Sequence, residues 1–164
     1  MSPTLEGARP PTADPSRVDR GRRTVALVKI WHGHSTVHHP PMGLLRIGGA
    51  LKQAGYDVRI FHLSKFDAIE KVPEIVASAP LVIGVSIITG VPAQIILDVC
   101  QALKDRLPHV PIVFGGVHPT LEPKQCLEEK NVDYVCLNDG ERAMVALTDA
   151  ISAGRDVTGI QGLG

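Results

Sequence analysis

Aromatic residues are scarce in this chain of 164 residues, because one Trp, two Tyr and three Phe make up only 4% of it. So few rings argue against a stacking platform for single-stranded nucleic acid. Charge of neither sign dominates, since 17 basic residues balance 17 acidic ones. The chain therefore lacks the electrostatic character of a protein that binds nucleic acid or an anionic membrane, and we expect neither as a partner.

Cysteine and long apolar runs are also rare. The three cysteines, Cys100, Cys126 and Cys136, are an odd number without a close pair, which favours a reducing, cytoplasmic location. No apolar run approaches the roughly 18–20 residues of a membrane span, and the N-terminus lacks the apolar region of a signal peptide. We expect a cytoplasmic protein that does not enter a membrane.

The chain divides into a tail and one domain. Residues 1–22 are rich in Pro, Ser and charge, a composition that predicts a disordered N-terminal tail. Residues 23–164 are long enough to bury a core of their own, which predicts a single folded domain.

Five strand-like segments alternate with helical patterns along this domain. The predicted strands are 24–30, 56–61, 81–88, 112–115 and 133–137. The predicted helices are 44–55, 68–79 (regular from near Pro73), 92–107, 122–130 and 141–153. Such alternation predicts an α/β fold with a five-stranded, parallel, doubly wound sheet, and we choose the flavodoxin-like (Rossmann-like) strand order 2-1-3-4-5.

The end of the fourth predicted strand carries the pair Gly115-Gly116, where a ligand could lie directly on the backbone. Pro119 is expected to stop any immediate helix. The same carboxyl edge of the sheet receives the segments 31–43, 86–90 and 138–141. These segments offer glycines, small hydroxyls, backbone amides and two acids, Asp139 and Glu141. Such a set is typical of a cradle for a bulky cofactor rather than of a set of catalytic acids and bases.

Five motifs in register carry a resemblance to a known family. They are Pro40-Pro-Met-Gly-Leu-Leu45, Leu51-Lys-Gln-Ala-Gly-Tyr-Asp-Val58, Gly84-Val-Ser86, Gly115-Gly-Val-His-Pro-Thr120 and Val132-Asp-Tyr-Val-Cys-Leu-Asn-Asp-Gly-Glu141. Over about residues 24–164 the chain resembles the cobalamin-binding domain that precedes the catalytic barrel of cobalamin-dependent radical S-adenosylmethionine enzymes. The resemblance identifies residues 23–164 as a cobalamin-binding domain with cobalamin as its cofactor.

The wider cobalamin-binding family has the pattern D-x-H-x-x-G, followed by S-x-L and G-G. Counted back from Gly43, this chain has His38 at the Asp position and Pro40 at the position of the cobalt-ligating His. The resemblance thus implies base-off cobalamin without an axial histidine, its lower face shielded by residues 41–43. The nucleotide tail would lie between the third and fourth strands, with room left by Gly115 and Gly116; a leucine at Gly116 would then block loading while leaving the fold intact.

The resemblance assigns contacts with the cofactor to thirteen residues. They are Pro41, Met42, Gly43, Ser86, Thr89, Gly90, Gly115, Gly116, Val117, His118, Asn138, Gly140 and Glu141. No catalytic residue and no metal ligand is assigned. His118 and the segment 138–141 also have a plain structural interpretation, as a turn and as the start of a helix.

A complete enzyme of that family also needs a C-x-x-x-C-x-x-C motif for a [4Fe–4S] cluster, and the three cysteines here do not form one. We therefore expect that the chain is not catalytic alone, and that S-adenosylmethionine and the cluster belong to a radical S-adenosylmethionine catalytic domain, in cis or in trans. By resemblance, the complete system transfers a methyl group.

Other interpretations remain open from the residues. His32, His34, His38 and His39 are either a transition-metal site or, more commonly, solvated or pocket-lining side chains. A flavin-binding module and a receiver-type signalling domain use the same fold. The first needs more aromatic residues, and the second needs acids where this chain has Lys29-Ile30 and Ser86-Ile87. A degenerate domain that serves only as an interaction surface is the third alternative.

Overall fold

The computed structural model describes residue 21 and residues 23–31, 40–88 and 93–164. The strands are β1 (Thr24–Trp31), β2 (Asp57–Ser64), β3 (Val82–Ser86), β4 (Ile112–Gly115) and β5 (Tyr134–Cys136). The helices are α1 (Met42–Gln53), α2 (Val72–Ala77), α3 (Gln94–Arg106), α4 (Val117–Leu121), α5 (Pro123–Glu128) and α6 (Glu141–Ala153). The predicted tail 1–22 lies outside the described residues apart from Gly21.

The five strands form one sheet in the order β2-β1-β3-β4-β5, and all four neighbouring pairs are parallel. The predicted fold class and strand order are confirmed. The order reverses between β1 and β3, so the carboxyl ends of these strands and of β4 meet at the point where open α/β sheets bind ligands.

Helices cover both faces of the sheet. On one face, Leu44 and Leu51 of α1 and Met144 and Leu147 of α6 pack on Leu27 and other strand residues. On the opposite face, α2, α3 and α5 pack on the alternate residues of the strands. Because successive strand residues point to opposite faces, Val113 and Gly115 of β4 share the α1/α6 face, whereas Ile112 and Phe114 share the other.

Two local predictions are wrong. Pro119 does not prevent a helix directly after the glycine pair, because α4 begins at Val117 and contains Pro119 within its first turn. The N–H groups of a first turn have no partner inside the helix, so proline loses no hydrogen bond there. The predicted helix 68–79 is shorter than expected, because Ile69 lies in turns before α2 and is 43% exposed.

The edge of β5 is covered by the last residues of the chain. The N–H of Val135 donates to the carbonyl of Gly164 (2.9 Å), and the N–H of Leu137 donates to that of Gly162 (2.8 Å). This short antiparallel pairing satisfies backbone groups that an edge strand would otherwise expose. Among the described residues, no helix is both long and apolar enough to cross a bilayer.

Candidate functional site

A cleft opens at the carboxyl edge of the sheet, between the start of α1 and the start of α6. It encloses a cavity of about 120 Å³. Its strand residues include Leu27 of β1, Gly84 and Ser86 of β3, and Val113 and Gly115 of β4. Its walls come from the two helices and from the loop before α6, with Gly43, Arg46, Ile47, Asn138, Gly140, Glu141 and Met144 among them.

Two glycines on the α1/α6 face of the cleft have different surroundings. A Cβ atom at Gly84 would lie 3.0 Å from Leu27 Cδ2 and 3.4 Å from Met144 Cε, so these side chains already occupy the neighbouring space. A Cβ at Gly115 would lie 3.8 Å from Cys136 Cβ, an ordinary van der Waals separation. A side chain at Gly115 is thus compatible with the surrounding atoms, but it would fill the cleft.

Gly116 is required by the backbone itself. Its φ is +103°, and a Cβ built there would be 2.7 Å from the carbonyl oxygen of Ile87. The expectation that leucine at Gly116 would block loading without harming the fold is corrected, because such a variant would also displace the backbone between β3 and β4. Gly115 is the better position for probing the cleft.

A hydrogen-bond relay holds the turns around the cleft together. The backbone N–H of Asn138 donates to Thr120 Oγ1 (3.0 Å), and the Thr120 hydroxyl donates to the carbonyl of Gly116 (2.8 Å). Asn138 has a φ of +58°, a conformation that Asn adopts more readily than most residues. The relay fixes the segment after β5 relative to the glycine turn after β4.

The mouth of the cleft is crossed by an ion pair between α1 and α6. Arg46 Nη2 lies 2.7 Å from Glu141 Oε1, and Arg46 Nη1 lies 3.9 Å from Asp139 Oδ1. The Arg46 side chain is 63% exposed, so the pair contributes little to stability. The pair links the starts of the two helices that line the cleft.

Cys136 lies in the wall of the cleft and is buried. Burial, with a smaller contribution from the charge of Glu141, raises the pKa of its thiol to about 11. The group is therefore neutral at pH 7 and presents a small, weakly polar surface to the cavity.

Seven of the thirteen predicted contact residues line this cleft. They are Gly43, Ser86, Gly115, Gly116, Asn138, Gly140 and Glu141. Four others do not line it. Pro41 and Met42 precede it at the start of α1, Val117 is 56% exposed on α4, and His118 lines a smaller cavity with Ile87 and Phe114 on the opposite face. Thr89 and Gly90 lie outside the described residues.

The backbone of His118 is hydrogen-bonded on both sides, and part of its ring is buried. Its N–H donates to the carbonyl of Ile87 (3.4 Å), and its carbonyl accepts from the N–H of Glu122 (2.8 Å). Its Nδ1 atom is buried and has no hydrogen-bond partner among the described residues.

Sequence reasoning missed several residues of the cleft, chiefly Arg46, Ile47 and Met144. Ile47 and Met144 fall within the predicted helices 44–55 and 141–153, but the sequence pattern does not show that both helices border the same glycines. The predicted absence of metal ligands stays a prediction. Among the described residues, no group of three or more His, Cys, Asp or Glu side chains is placed to hold a metal ion, and the histidines at 32–39 lie outside that part of the chain.

Comparison with known proteins identifies this architecture. The model of the B12 binding domain matches residues 28–148. The chain belongs to the B12-binding domain family. The predicted resemblance to a cobalamin-binding domain and the predicted cofactor, cobalamin, are thereby confirmed.

Individual relatives connect the domain with radical S-adenosylmethionine enzymes. The chain is 34% identical over 130 residues to an anaerobic magnesium-protoporphyrin IX monomethyl ester cyclase of Synechocystis sp., covering 76% of this chain and 26% of that protein. It is 26% identical to the cobalamin-bound radical S-adenosylmethionine methyltransferase TsrM of Kitasatospora setae, with a TM-score of 0.72, covering 87% of this chain and 28% of that one. OxsB, a cobalamin-dependent S-adenosylmethionine radical enzyme, shares the fold with a TM-score of 0.71 at 17% identity. The chain thus spans about a quarter of the length of these relatives.

Proposed function

We propose that residues 23–164 bind base-off cobalamin, without an axial histidine, for a radical S-adenosylmethionine enzyme that transfers a methyl group. The observation that carries the proposal is the glycine-lined cleft at the carboxyl edge of the sheet. Gly115 leaves space for a ligand on the face between α1 and α6, and Gly84 allows Leu27 and Met144 to pack closely beside it. Bound cobalamin supplies a cobalt centre that carries the methyl group, and the residues of this chain hold and orient the cofactor.

The nucleotide tail of cobalamin fits the polarity of this cleft. The interior offers buried apolar side chains for an aromatic base, including Leu27 and Val113. The rim offers polar groups for the ribose and phosphate, including the Ser86 side chain and the Arg46 guanidinium. Glu141, assigned to the cofactor by resemblance, is engaged by Arg46, so its proposed contribution is to position that guanidinium.

The missing axial ligand follows from the residue at position 40. Pro40 is exposed at the carboxyl edge, and its carbonyl accepts the N–H of Met42 (2.8 Å) at the start of α1. Proline has no side-chain donor for cobalt. In the proposed complex, residues 41–43 would lie beneath the corrin in place of an imidazole.

Exposed apolar side chains at the same edge support a covering partner. Met42 is 62% exposed, Val117 56% and Leu121 63%. In the proposed complex, the corrin and a radical S-adenosylmethionine catalytic domain, in cis or in trans, cover this edge. That domain would hold S-adenosylmethionine and the [4Fe–4S] cluster. The cysteines Cys100, Cys126 and Cys136 are free, which supports the proposed cytoplasmic location.

Binding is tested by incubating the chain with hydroxocobalamin, removing free cofactor by desalting and recording the visible spectrum. Retained corrin absorbance, in a ratio of about one per chain, is the expected result. A colourless protein would contradict the proposal. A parallel incubation with flavin mononucleotide tests the main alternative, and we expect no flavin to be retained.

The axial environment is tested by electron paramagnetic resonance of the bound, reduced cofactor. We expect cob(II)alamin on this chain to show no nitrogen superhyperfine splitting, because neither a histidine nor the lower base coordinates the cobalt from below. Free cob(II)alamin with its base coordinated provides the positive control. Splitting that disappears in His39→Ala would contradict the proposal and identify His39 as a ligand. Splitting that persists in this variant would equally contradict it, by showing that the lower base or another nitrogen group coordinates the cobalt.

A further inference from the structure

The cleft has a chemically uniform floor. Leu27 and Val113 are each 1% exposed, Met144 is 2% exposed, and Cys136 is 3% exposed. Gly84 completes the floor between them. Because burial keeps the Cys136 thiol protonated, no charge reaches this depth from the described lining residues.

The backbone beneath the floor is already hydrogen-bonded. Leu27 pairs with Gly84, and Gly84 pairs with Val113, in the interior of the parallel sheet. The nearest buried hydroxyl on α6, that of Thr148, donates to the carbonyl of Met144 (2.6 Å). Strand N–H and C=O groups in the middle of a sheet are committed to the ladder, so they are not available to a ligand.

The polar groups of the cleft lie at its rim. Ser86 ends β3, Asn138 follows β5 and Glu141 begins α6. Arg46 spans the mouth. A ligand therefore meets polar groups on entry and apolar groups at the inner end. The part that reaches the floor loses its water and, among the described lining residues there, meets the thiol of Cys136 as its one side-chain polar group, a weak donor that already lies 3.9 Å from the Gly140 carbonyl.

We infer that this cleft selects cobamides by the polarity of the lower base, favouring a benzimidazole over a purine. The inference rests on the proposed function and specifies its ligand. Dimethylbenzimidazole, the base of cobalamin, carries methyl groups and a single ring nitrogen that is not bonded to ribose. Adenine, the base of adeninylcobamide, carries an exocyclic amino group and further ring nitrogens that need partners.

The size of the cavity agrees with an aromatic occupant. An engineered apolar cavity of about 150 Å³ in another protein holds one benzene ring, and the cavity here is about 120 Å³. A fused two-ring base needs more space, which a change of rotamer at the flexible end of the Met144 side chain would provide. Benzimidazole and adenine are both fused two-ring systems of similar size, so the space available does not distinguish them, and the selectivity rests on the polarity of the floor.

The selectivity is measured by equilibrium dialysis of the chain against cobalamin and against adeninylcobamide, followed by their corrin absorbance. Each unpaired polar group of the purine weakens binding by about tenfold or more. We therefore expect the dissociation constant of adeninylcobamide to exceed that of cobalamin by at least about tenfold. Tight binding of both cobamides with equal affinity would overturn the inference and leave the proposed function standing. Retention of neither would overturn both.

A near-isosteric variant tests the role of the floor directly. Val113→Thr replaces a methyl group of the floor with a hydroxyl, so we expect the ratio of the two dissociation constants to decrease by about threefold or more. Val25→Thr is the matched control, since Val25 is equally buried in the same core cluster but does not line the cleft. An unchanged ratio in Val113→Thr, or an equal change in Val25→Thr, would contradict selection by the floor. The wild-type ratio remains a test if either variant does not fold.

Discussion

Gly115→Val is expected to weaken cobalamin binding by about 5- to 150-fold, because overfilling a packed site costs about 1–3 kcal/mol. The position tolerates a side chain. Gly115 does not have a positive φ. The atoms nearest to a Cβ added there belong to Cys136 and are 3.8 Å away. The additional methyl groups of valine would project into the cavity that the nucleotide tail is proposed to occupy. The dissociation constant is measured by equilibrium dialysis with cobalamin.

A graded series separates loss of space from loss of fold. Gly115→Ala should have a smaller effect than Gly115→Val, because only one carbon enters the cleft. Gly49→Ala is the matched control, since Gly49 lies on α1 with no atom within 4 Å of an added Cβ and does not line the cleft. Circular dichroism should report an unchanged fold for all three. Wild-type affinity in Gly115→Val would show that the tail does not enter between β3 and β4.

Asp133→Ala is expected to lower the free energy of unfolding by roughly 3–5 kcal/mol, the range for removing one partner of a buried ion pair. Asp133 Oδ2 accepts from Lys104 Nζ (2.6 Å) and from the N–H of Ile112 (2.8 Å). Lys104 Nζ also donates to the carbonyl of Val110 (2.9 Å). Both side chains are buried, at 8% and 3% exposure. Alanine at position 133 would leave the ammonium group of Lys104 buried without the carboxylate that now pairs with it. The loss is measured by urea denaturation.

Two further variants test this explanation. Lys104→Met combined with Asp133→Leu should be less destabilising than Asp133→Ala alone, because it removes the buried charge together with its partner. A residual loss is expected, since the N–H of Ile112 would still lack its acceptor. Glu74→Ala is the surface control. Its ion pair with Lys71 (2.6 Å) is exposed, so the change should be much smaller. If Asp133→Ala lost no more unfolding free energy than the double variant, the predicted cost of an unpaired buried charge would be contradicted.

The Lys104–Asp133 pair shows where prediction from the sequence stops. The two residues are 29 positions apart, one near the end of α3 and one just before β5. Each has an unremarkable local setting, a basic residue in a last helical turn and an acid at a strand start. Only the packing of α3 beside the loop before β5 brings them together. The periodicity of apolar residues along the chain does not reveal that two residues so far apart in sequence are close in space.

Gly116 illustrates a second limit. The sequence indicated correctly that two glycines at a strand end are special, but it could not distinguish their roles. The structure separates them, because Gly116 has a positive φ beside the Ile87 carbonyl and Gly115 borders open space. Pro119 is a similar case. Its effect depends on its position within a helical turn, and that position is set by where α4 begins.

The sequence by itself determined the α/β class and the family, because apolar periodicity and short motifs are local properties that survive without coordinates. The strand order was a choice among known folds, which the structure confirmed. Tertiary structure alone decided which residues share the cleft, that Arg46 bridges to Glu141 across its mouth, and that its floor is apolar while its rim is polar. The physical reason is that a cleft is defined by the separation of elements distant in sequence. That separation depends on how the side chains of α1, α6 and the sheet pack together.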